Sequence, residues 1–415
     1  MTMATTSTQV PIPKNGADYR GKVVLAPMVR SGELPSRLLA LKYGADLVWG
    51  PETVDRSMIG TRRKYNSFTS TIDFTRQPSN PCRPRSESQR ENLLYRIDPV
   101  REQGRLIFQL GTASPERAVE AAKIVARDVA GIDVNAGCPK PFSTTGGMGA
   151  ALLQDPEKLA SILVALVEEV GRVFEIGISV KIRLLETKEK TEALVTKLCM
   201  TGIMGLTVHC RTTPMRPRER AIRDQLRMIG GICREKGVAC LMNGDVKDRD
   251  EAIELARQYG VDGAMIATAA EANSSCFRTR ADGGLLPWKE VVTEYVKMAL
   301  QVENRWGNTK FLLSQLMPGK VEACRKVASS MGYRQLCEVL GLDELVEDAQ
   351  EIDQRLGINE LRTTKAMKKA LQNGSAKAAG CQTAKQRQDE SLKIGSLSER
   401  GVGSHARARA VAMMV

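Results

Sequence analysis

The stretch Asp133-Val134-Asn135-Ala136-Gly137-Cys138-Pro139-Lys140, continuing through Pro141-Phe142-Ser143-Thr144-Thr145-Gly146-Gly147-Met148-Gly149, decides how the chain reads. Ile132 and Val134 belong to a short apolar run with strand character, and Gly137 and Pro139 break it into a polar, glycine-rich loop. A thiol, an amide and an ammonium therefore stand where a strand ends. In a parallel barrel, the loop after a strand is where catalytic groups are assembled. Taken alone, Cys138 is equally compatible with a small core residue, the usual fate of a free cysteine. The flanking sequence has to decide.

Outward from this stretch, short apolar runs alternate with longer amphipathic segments, the pattern of a parallel sheet with crossover helices. On the N-terminal side lie the strands Val23–Ala26, Asp46–Trp49 and Leu106–Leu110, with helices over 33–43 and 115–127. Ser114 and Pro115 supply an N-cap and a first helical residue for the second helix. On the C-terminal side, strands over 131–135, 177–182, 205–209, 238–243 and 261–267 alternate with helices over 156–171, 188–200, 223–236 and 249–259. The unit between residues 56 and 104 is irregular, with a strand or hairpin around Ser70–Phe74. A Pro- and Ser-rich stretch, Gln77–Ser88, has the composition of an exposed loop. Eight strand–helix units with one insertion predict an α/β chain closed into a (β/α)8 TIM barrel.

What stands at the strand ends sharpens the reading. In order these are Pro27-Met28, Glu52, Gln109, Asn135 with Cys138, Lys181, His209 with Arg211, Asn243-Gly244-Asp245, and Ala267-Thr268. Barrel strand ends converge on one pocket, so polar groups spread far apart in sequence are predicted to surround one ligand. The loops after the seventh and eighth strands of such a barrel commonly hold a phosphate through backbone N–H groups. Asn243-Gly244-Asp245 and Ala267-Thr268 are small enough for that approach.

Composition sets the outer bounds. With 415 residues and 42% hydrophobic content the chain can bury a large core unaided. Aromatics are only 4%, which argues against a single-strand binding surface built from stacked rings. Lys and Arg total 61 against 48 for Asp and Glu, an excess of +13 that points to a polyanionic partner. Ten basic and three acidic residues of that balance lie after Arg362, so the rest is only mildly basic. The ten cysteines form no C-x-x-C pair and the histidines number two, so no metal site is expected. No apolar run approaches a membrane span, and the cysteine usage suggests a reducing, cytoplasmic setting. Residues 1–20 read as a disordered leader.

Several of these segments resemble the tRNA-dihydrouridine synthases, and within them the eukaryotic cytosolic type that acts on the D-loop uridine at position 20. The likeness is carried by Leu25–Arg30, Leu34–Arg37, Tyr43–Asp46, Phe108–Gly111, Gly131–Leu152, Val180–Arg183, Val208–Arg211 and Asn243–Asp245, then by Glu290–Tyr295 and Asn308–Lys310. It spans roughly residues 22–345. It implies an FMN enzyme that reduces the C5–C6 double bond of a tRNA uridine, with hydride from reduced FMN to C6, a proton from Cys138 to C5, and NADPH as reductant. By the family's pattern FMN would contact Pro27, Met28, Val29, Gln109, Lys181 and His209, with its phosphate at Asn243, Gly244, Asp245, Ala267 and Thr268. Asn135, Lys140 and Arg211 would face the substrate. A lysine suits that place because a cation stabilises an anionic reduced flavin.

The sequence departs from the family at two points. Ala267-Thr268 stands where a small residue and an arginine are usual, and Cys210 replaces a glycine. The double-stranded RNA-binding domain of the animal form is not expected after Arg362.

The domain plan is a leader over 1–20, a barrel over 21–286 with an inserted loop near 66–104, a helical tRNA-binding domain over 287–361 and a disordered basic tail over 362–415. Within the helical segment, 297–334 is basic and 338–360 acidic, and the basic part would suit a phosphate backbone or simply be solvated. A monomer is expected, cytoplasmic, with a nuclear location as the alternative addition. Two rival readings remain: a flavin barrel oxidoreductase acting on a free pyrimidine or other small molecule, and a non-catalytic tRNA-binding protein.

Overall fold

The structure is a computed structural model that describes residues 10–77, 92–216, 218–319 and 321–358. The tail and all but the first residue of the Gln77–Ser88 loop fall outside them. Twelve strands are found among the described residues: β1 Val23–Leu25, β2 Leu47–Trp49, β3 Thr53–Val54, β4 Arg62–Asn66, β5 Thr71–Arg76, β6 Asn92–Ile97, β7 Leu106–Gly111, β8 Gly131–Ala136, β9 Gly177–Arg183, β10 Gly205–His209, β11 Ala239–Asn243 and β12 Gly263–Ile266. Eight of them, β1, β2 and β7–β12, pair in parallel around a closed circuit. β12 meets β1 through Val24 and Met265, and β2 meets β7 through Val48 and Leu106. The barrel expected from the alternating pattern is therefore present, with β3 continuing along β7 past the end of β2.

Strand alternation sorts the side chains into an inner and an outer set. Ile132 and Val134 of β8 and Ile178, Val180 and Ile182 of β9 turn outward to the helices and are fully or almost fully buried there. The helix caps follow the sequence: Ser114 accepts the N–H of Arg117, Asp155 that of Lys158, and Asp248 that of Glu251. Inside, Val24, Ala26, Leu47, Trp49, Ile107, Leu241 and Met265 form an apolar cluster on one side. The other side is polar, with Asp133, Ser179 and Thr207 all at most 1% exposed.

The floor of the barrel is closed by Tyr19, which is 1% exposed and tilts against Trp49 at 5.3 Å between ring centroids. Glycines at the strand starts make room for it. A Cβ on Gly205 would lie 2.3 Å from the Tyr19 ring, and one on Gly131 3.1 Å from its hydroxyl. The end of the segment expected as a leader, through residue 20, instead joins the core at Ala17 and Tyr19, and burying an aromatic side chain offsets the entropy of ordering it.

The insertion also differs from the expected loop. β4, β5 and β6 form an antiparallel sheet, held by the cross-strand pair Asp73–Arg96 at 2.6 Å and by Tyr95 packed edge-on against Phe108 at 5.0 Å. Four of the five β4 residues are exposed, so no alternation of apolar and polar residues marked that strand. A fully buried ion pair, Arg37–Glu102 at 2.6 Å, ties the first barrel helix to the segment after β6.

Five helices, 288–301, 306–316, 322–329, 333–340 and 346–355, follow the barrel. The first packs on the helix over 34–42, and Asn308 donates to Glu33 at 2.9 Å. No helix among the described residues is long and apolar enough to cross a membrane.

Candidate active site

β8 delivers the first group. Asn135, 7% exposed, accepts the backbone N–H groups of Gly137 and Cys138 at 3.0 and 3.1 Å, a turn that stops the strand and lifts the cysteine onto the barrel's rim. The loop then returns on itself. Ala150 N–H donates to the Cys138 carbonyl at 2.9 Å, and Gly149, at φ +58°, passes so close that a Cβ would meet that carbonyl at 2.6 Å. Only glycine fits this approach without strain.

Cys138 is a free, half-buried thiol. Burial raises its pKa above the ordinary thiol value; backbone N–H donation near Lys140 opposes this, and the Glu52 carboxylate adds to it. The neutral thiol is thus the populated form near pH 7. Glu52, at the end of β2, is itself raised by burial against the lowering effect of hydrogen bonds from Asn135 and Ser143. It braces the loop from below.

β7, β8 and β9 bring the next groups. Gln109 Nε2 donates to Asp133 Oδ2 at 2.9 Å, and Ser179 Oγ to Asp133 Oδ1 at 2.7 Å. One inward position above Ser179 stands Lys181, in register with Asn135. Its ammonium has no ion pair or hydrogen bond among the described residues. Burial first, and Arg183 second, push its pKa down to about 8, while Asp133, Cys210 and Cys138 pull the other way. Lys181 and Cys138 therefore sense one another across the same mouth.

β10 and β11 supply the third group. His209 is in register with Asn243, and Arg211 Nη1 approaches its Nε2. Burial, then the cations Lys181, Arg183 and Arg211, push the imidazole pKa down to about 2. Arg211 also donates to Asp245 Oδ1 at 2.5 Å and to the Glu219 carbonyl at 2.8 Å. Burial disfavours the Asp245 carboxylate, yet the hydrogen bonds from Arg211 and the Ala221 N–H, with the charges of Arg211 and Arg223, together outweigh it and hold its pKa below the usual carboxylate range. Gly244, at φ +122°, lies where a Cβ would crowd Ala221 at 3.2 Å and His209 at 3.4 Å, and Asn243 Nδ2 is anchored on the Met265 carbonyl at 2.9 Å.

Of the remaining expected residues, Pro27, Met28 and Ala267 are half-buried, Met28 and Ala267 resting on the barrel's apolar cluster. Val29, Lys140 and Thr268 are exposed around the rim. Asn135 and Arg211, expected toward a substrate, spend their polar atoms largely on the protein itself.

Three participants were not singled out from sequence, and Glu52, expected at a strand end, was given no role there. Arg183 clamps the Gly137 carbonyl at 2.7 Å and the Thr212 carbonyl at 3.1 Å. Arg223 clamps the carbonyls of Gly244 and Asp245 at 3.0 and 2.9 Å. Asp133 is the third. The signal for Arg183 and Asp133 was their inward phase on β9 and β8, two residues beyond Lys181 and two before Asn135; Arg223 lies on a loop and had none.

A closed parallel barrel that gathers a half-buried ammonium, a neutral imidazole and a protonated thiol at its strand ends is an enzyme of the (β/α)8 class. The chain belongs to the dihydrouridine synthase (Dus) family, whose profile matches residues 24–356. It is 52% identical over 339 residues to the tRNA-dihydrouridine(20) synthase [NAD(P)+] of Schizosaccharomyces pombe, covering 81% of this chain and 66% of that one. It is 42% identical over 385 residues to the protein of that name from Saccharomyces cerevisiae, covering 91% and 96%. Identity to the S. pombe tRNA-dihydrouridine(20a/20b) synthase [NAD(P)+] falls to 29%, over 61% of this chain and 68% of the other.

Proposed function

We propose that this chain reduces the C5–C6 double bond of a uridine in the D-loop of tRNA, at position 20, to dihydrouridine, using FMN with NADPH as the source of electrons. The observation that carries the reading is the half-buried Lys181 ammonium, which makes no ion pair or hydrogen bond among the described residues and stands at the same strand-end mouth as Cys138. A partly buried cation of that kind costs stability unless an anionic or electron-rich ligand meets it.

The donor set fits the group. Gln109, Lys181 and His209 would meet the ring, with Pro27, Met28 and Val29 beside it. The phosphate would lie at the loops of Asn243, Gly244 and Asp245 and of Ala267 and Thr268, where Gly244 leaves room that a side chain would fill. The charge of Asp245 is neutralised there by Arg211. When bound and reduced, FMN would supply the hydride that goes to C6.

The chain's own residues do the rest. Cys138 gives its Sγ proton to C5, and its raised pKa keeps that proton in place until the carbon develops basicity. Solvent then restores the thiol. Asn135 serves the substrate side as a positioning residue, because its carbonyl holds the Cys138 backbone. Arg211 acts in the same way on His209. Lys140, exposed on the same loop, is free to meet phosphate.

A base buried in folded tRNA must be unstacked to enter. The basic part of the helical segment is the proposed backbone-binding surface. The protein is read as a cytoplasmic monomer. The test is to reduce the FMN-loaded protein with NADPH and offer tRNA or free uridine. Oxidation by tRNA alone, with dihydrouridine appearing at position 20, is expected; equal oxidation by free uridine would refute the tRNA assignment.

A further inference from the structure

The polar half of the barrel interior has so far been given no task. Asp133 lies at its centre, with none of its surface exposed, two residues below Asn135 on β8. It takes Gln109 Nε2 on one oxygen and Ser179 Oγ on the other, and the Tyr19 hydroxyl approaches Ser179 Oγ at 3.4 Å. A row of polar groups thus runs from the barrel floor to its mouth.

A carboxylate in that place is expensive, since burial disfavours its charge. A threonine or valine would fill the space without that cost. The carboxylate does one thing such residues would not: it accepts only, so the Gln109 amide must turn its NH2 group downward. The amide carbonyl Oε1 is then the end without a partner among the described residues.

We propose that Asp133 is a positioning residue for the cofactor: it locks the Gln109 amide so that a hydrogen-bond acceptor, not a donor, faces the bound ring. This rests on the FMN reading above. An acceptor in that position recognises an N–H of the isoalloxazine and rejects a ring that offers only carbonyls, whereas the flipped amide would do the reverse. The barrel floor takes part, because Ser179 occupies the second oxygen of Asp133 and leaves the first to Gln109.

Two substitutions separate this from a merely structural role. Asp133→Asn keeps an oxygen but adds an NH2 group, so it can pair with the Gln109 amide in either orientation, whereas Asp133→Leu has nearly the same shape and no polar group. Losing one buried hydrogen bond that orients a ligand contact corresponds to about a tenfold change in affinity. Asp133→Leu is therefore expected to weaken FMN binding about tenfold and to shift its visible spectrum and midpoint potential, while Asp133→Asn, which no longer excludes the flipped amide, falls between the parent and the leucine variant. In a Gln109→Leu background, Asp133→Leu should add less than about a twofold change, because the amide it acts through is gone.

Should Asp133→Leu not fold, Asp133→Ser, which keeps a polar group but falls short of Gln109, reads the same quantity. Parent-like FMN affinity and spectrum in whichever of these two folds would overturn the proposal. A parent protein that takes up no FMN would instead sink the flavin reading itself.

Discussion

Arg211 Nη1 stands 3.3 Å from His209 Nε2, and a guanidinium can only donate. The imidazole is therefore the acceptor at Nε2 and carries its proton on Nδ1. With its pKa pushed down to about 2, chiefly by burial, His209 stays neutral across the whole working range. The unfolded chain takes up a proton below about 6.5 that the folded one refuses, so this group withdraws stability as pH falls from there towards 2. Nitrogen NMR of histidine-labelled protein, with His405 replaced to leave a single signal, should show the Nδ1–H tautomer unchanged between pH 5 and pH 9.

Lys181 makes the opposite bargain between stability and use. Its folded pKa of about 8 lies below the ordinary lysine value, so keeping it charged opposes folding below pH 8 and that opposition fades as pH rises towards 10.5. Lys181→Met should stabilise the cofactor-free protein at pH 7 by up to about 3 kcal/mol in denaturant unfolding, with the gain gone near pH 10.5. The same variant should bind FMN poorly and fail to stabilise its reduced form. Arginine at 181 is a weak test, since it keeps the cation.

Cys138 should react slowly with iodoacetamide at neutral pH, because the thiolate is the nucleophile and its formation is pushed to higher pH. The alkylation rate, followed by mass spectrometry of the Cys138 peptide, should climb only above the usual thiol pKa; Glu52→Gln removes a nearby negative charge and should move the curve to lower pH. Cys138→Ala should retain FMN and lose uridine reduction. A fully active Cys138→Ala protein would refute the acid assignment.

Tyr19 is predicted to close the barrel floor with its ring rather than its hydroxyl. Tyr19→Ala opens the barrel floor and should cost about 3–5 kcal/mol, whereas Tyr19→Phe keeps the ring and should cost less than about 1 kcal/mol. Equal losses in the two variants would mean that the hydroxyl, not the ring, closes the floor.

The barrel was legible because strands buried on both faces read as short apolar runs, and β7–β11 fall within one residue of where periodicity put them. Cofactor and substrate roles at the strand ends could be proposed in advance because a parallel barrel sends every such end to one mouth. What stayed hidden depends on pairing in space. β4 is exposed and apolar-poor, and it exists because β5 lies beside it. Asp133 sits in the middle of a strand where sequence offers no reason for a charge; only the Gln109 and Ser179 contacts supply one. Asn135 and Arg211 were legible as polar residues at strand ends, but not the fact that their hydrogen bonds turn inward to hold a loop and an imidazole.

The Gly205–Tyr19 approach reaches beyond stability. A methyl group at 205 has no space while the phenol ring is there, and a smaller residue at 19 leaves a hole unless 205 grows to fill it. Two sites 186 residues apart in sequence are thus bound to a common fate: across related chains, bulk lost at one should return at the other, and a substitution at either alone should be rare.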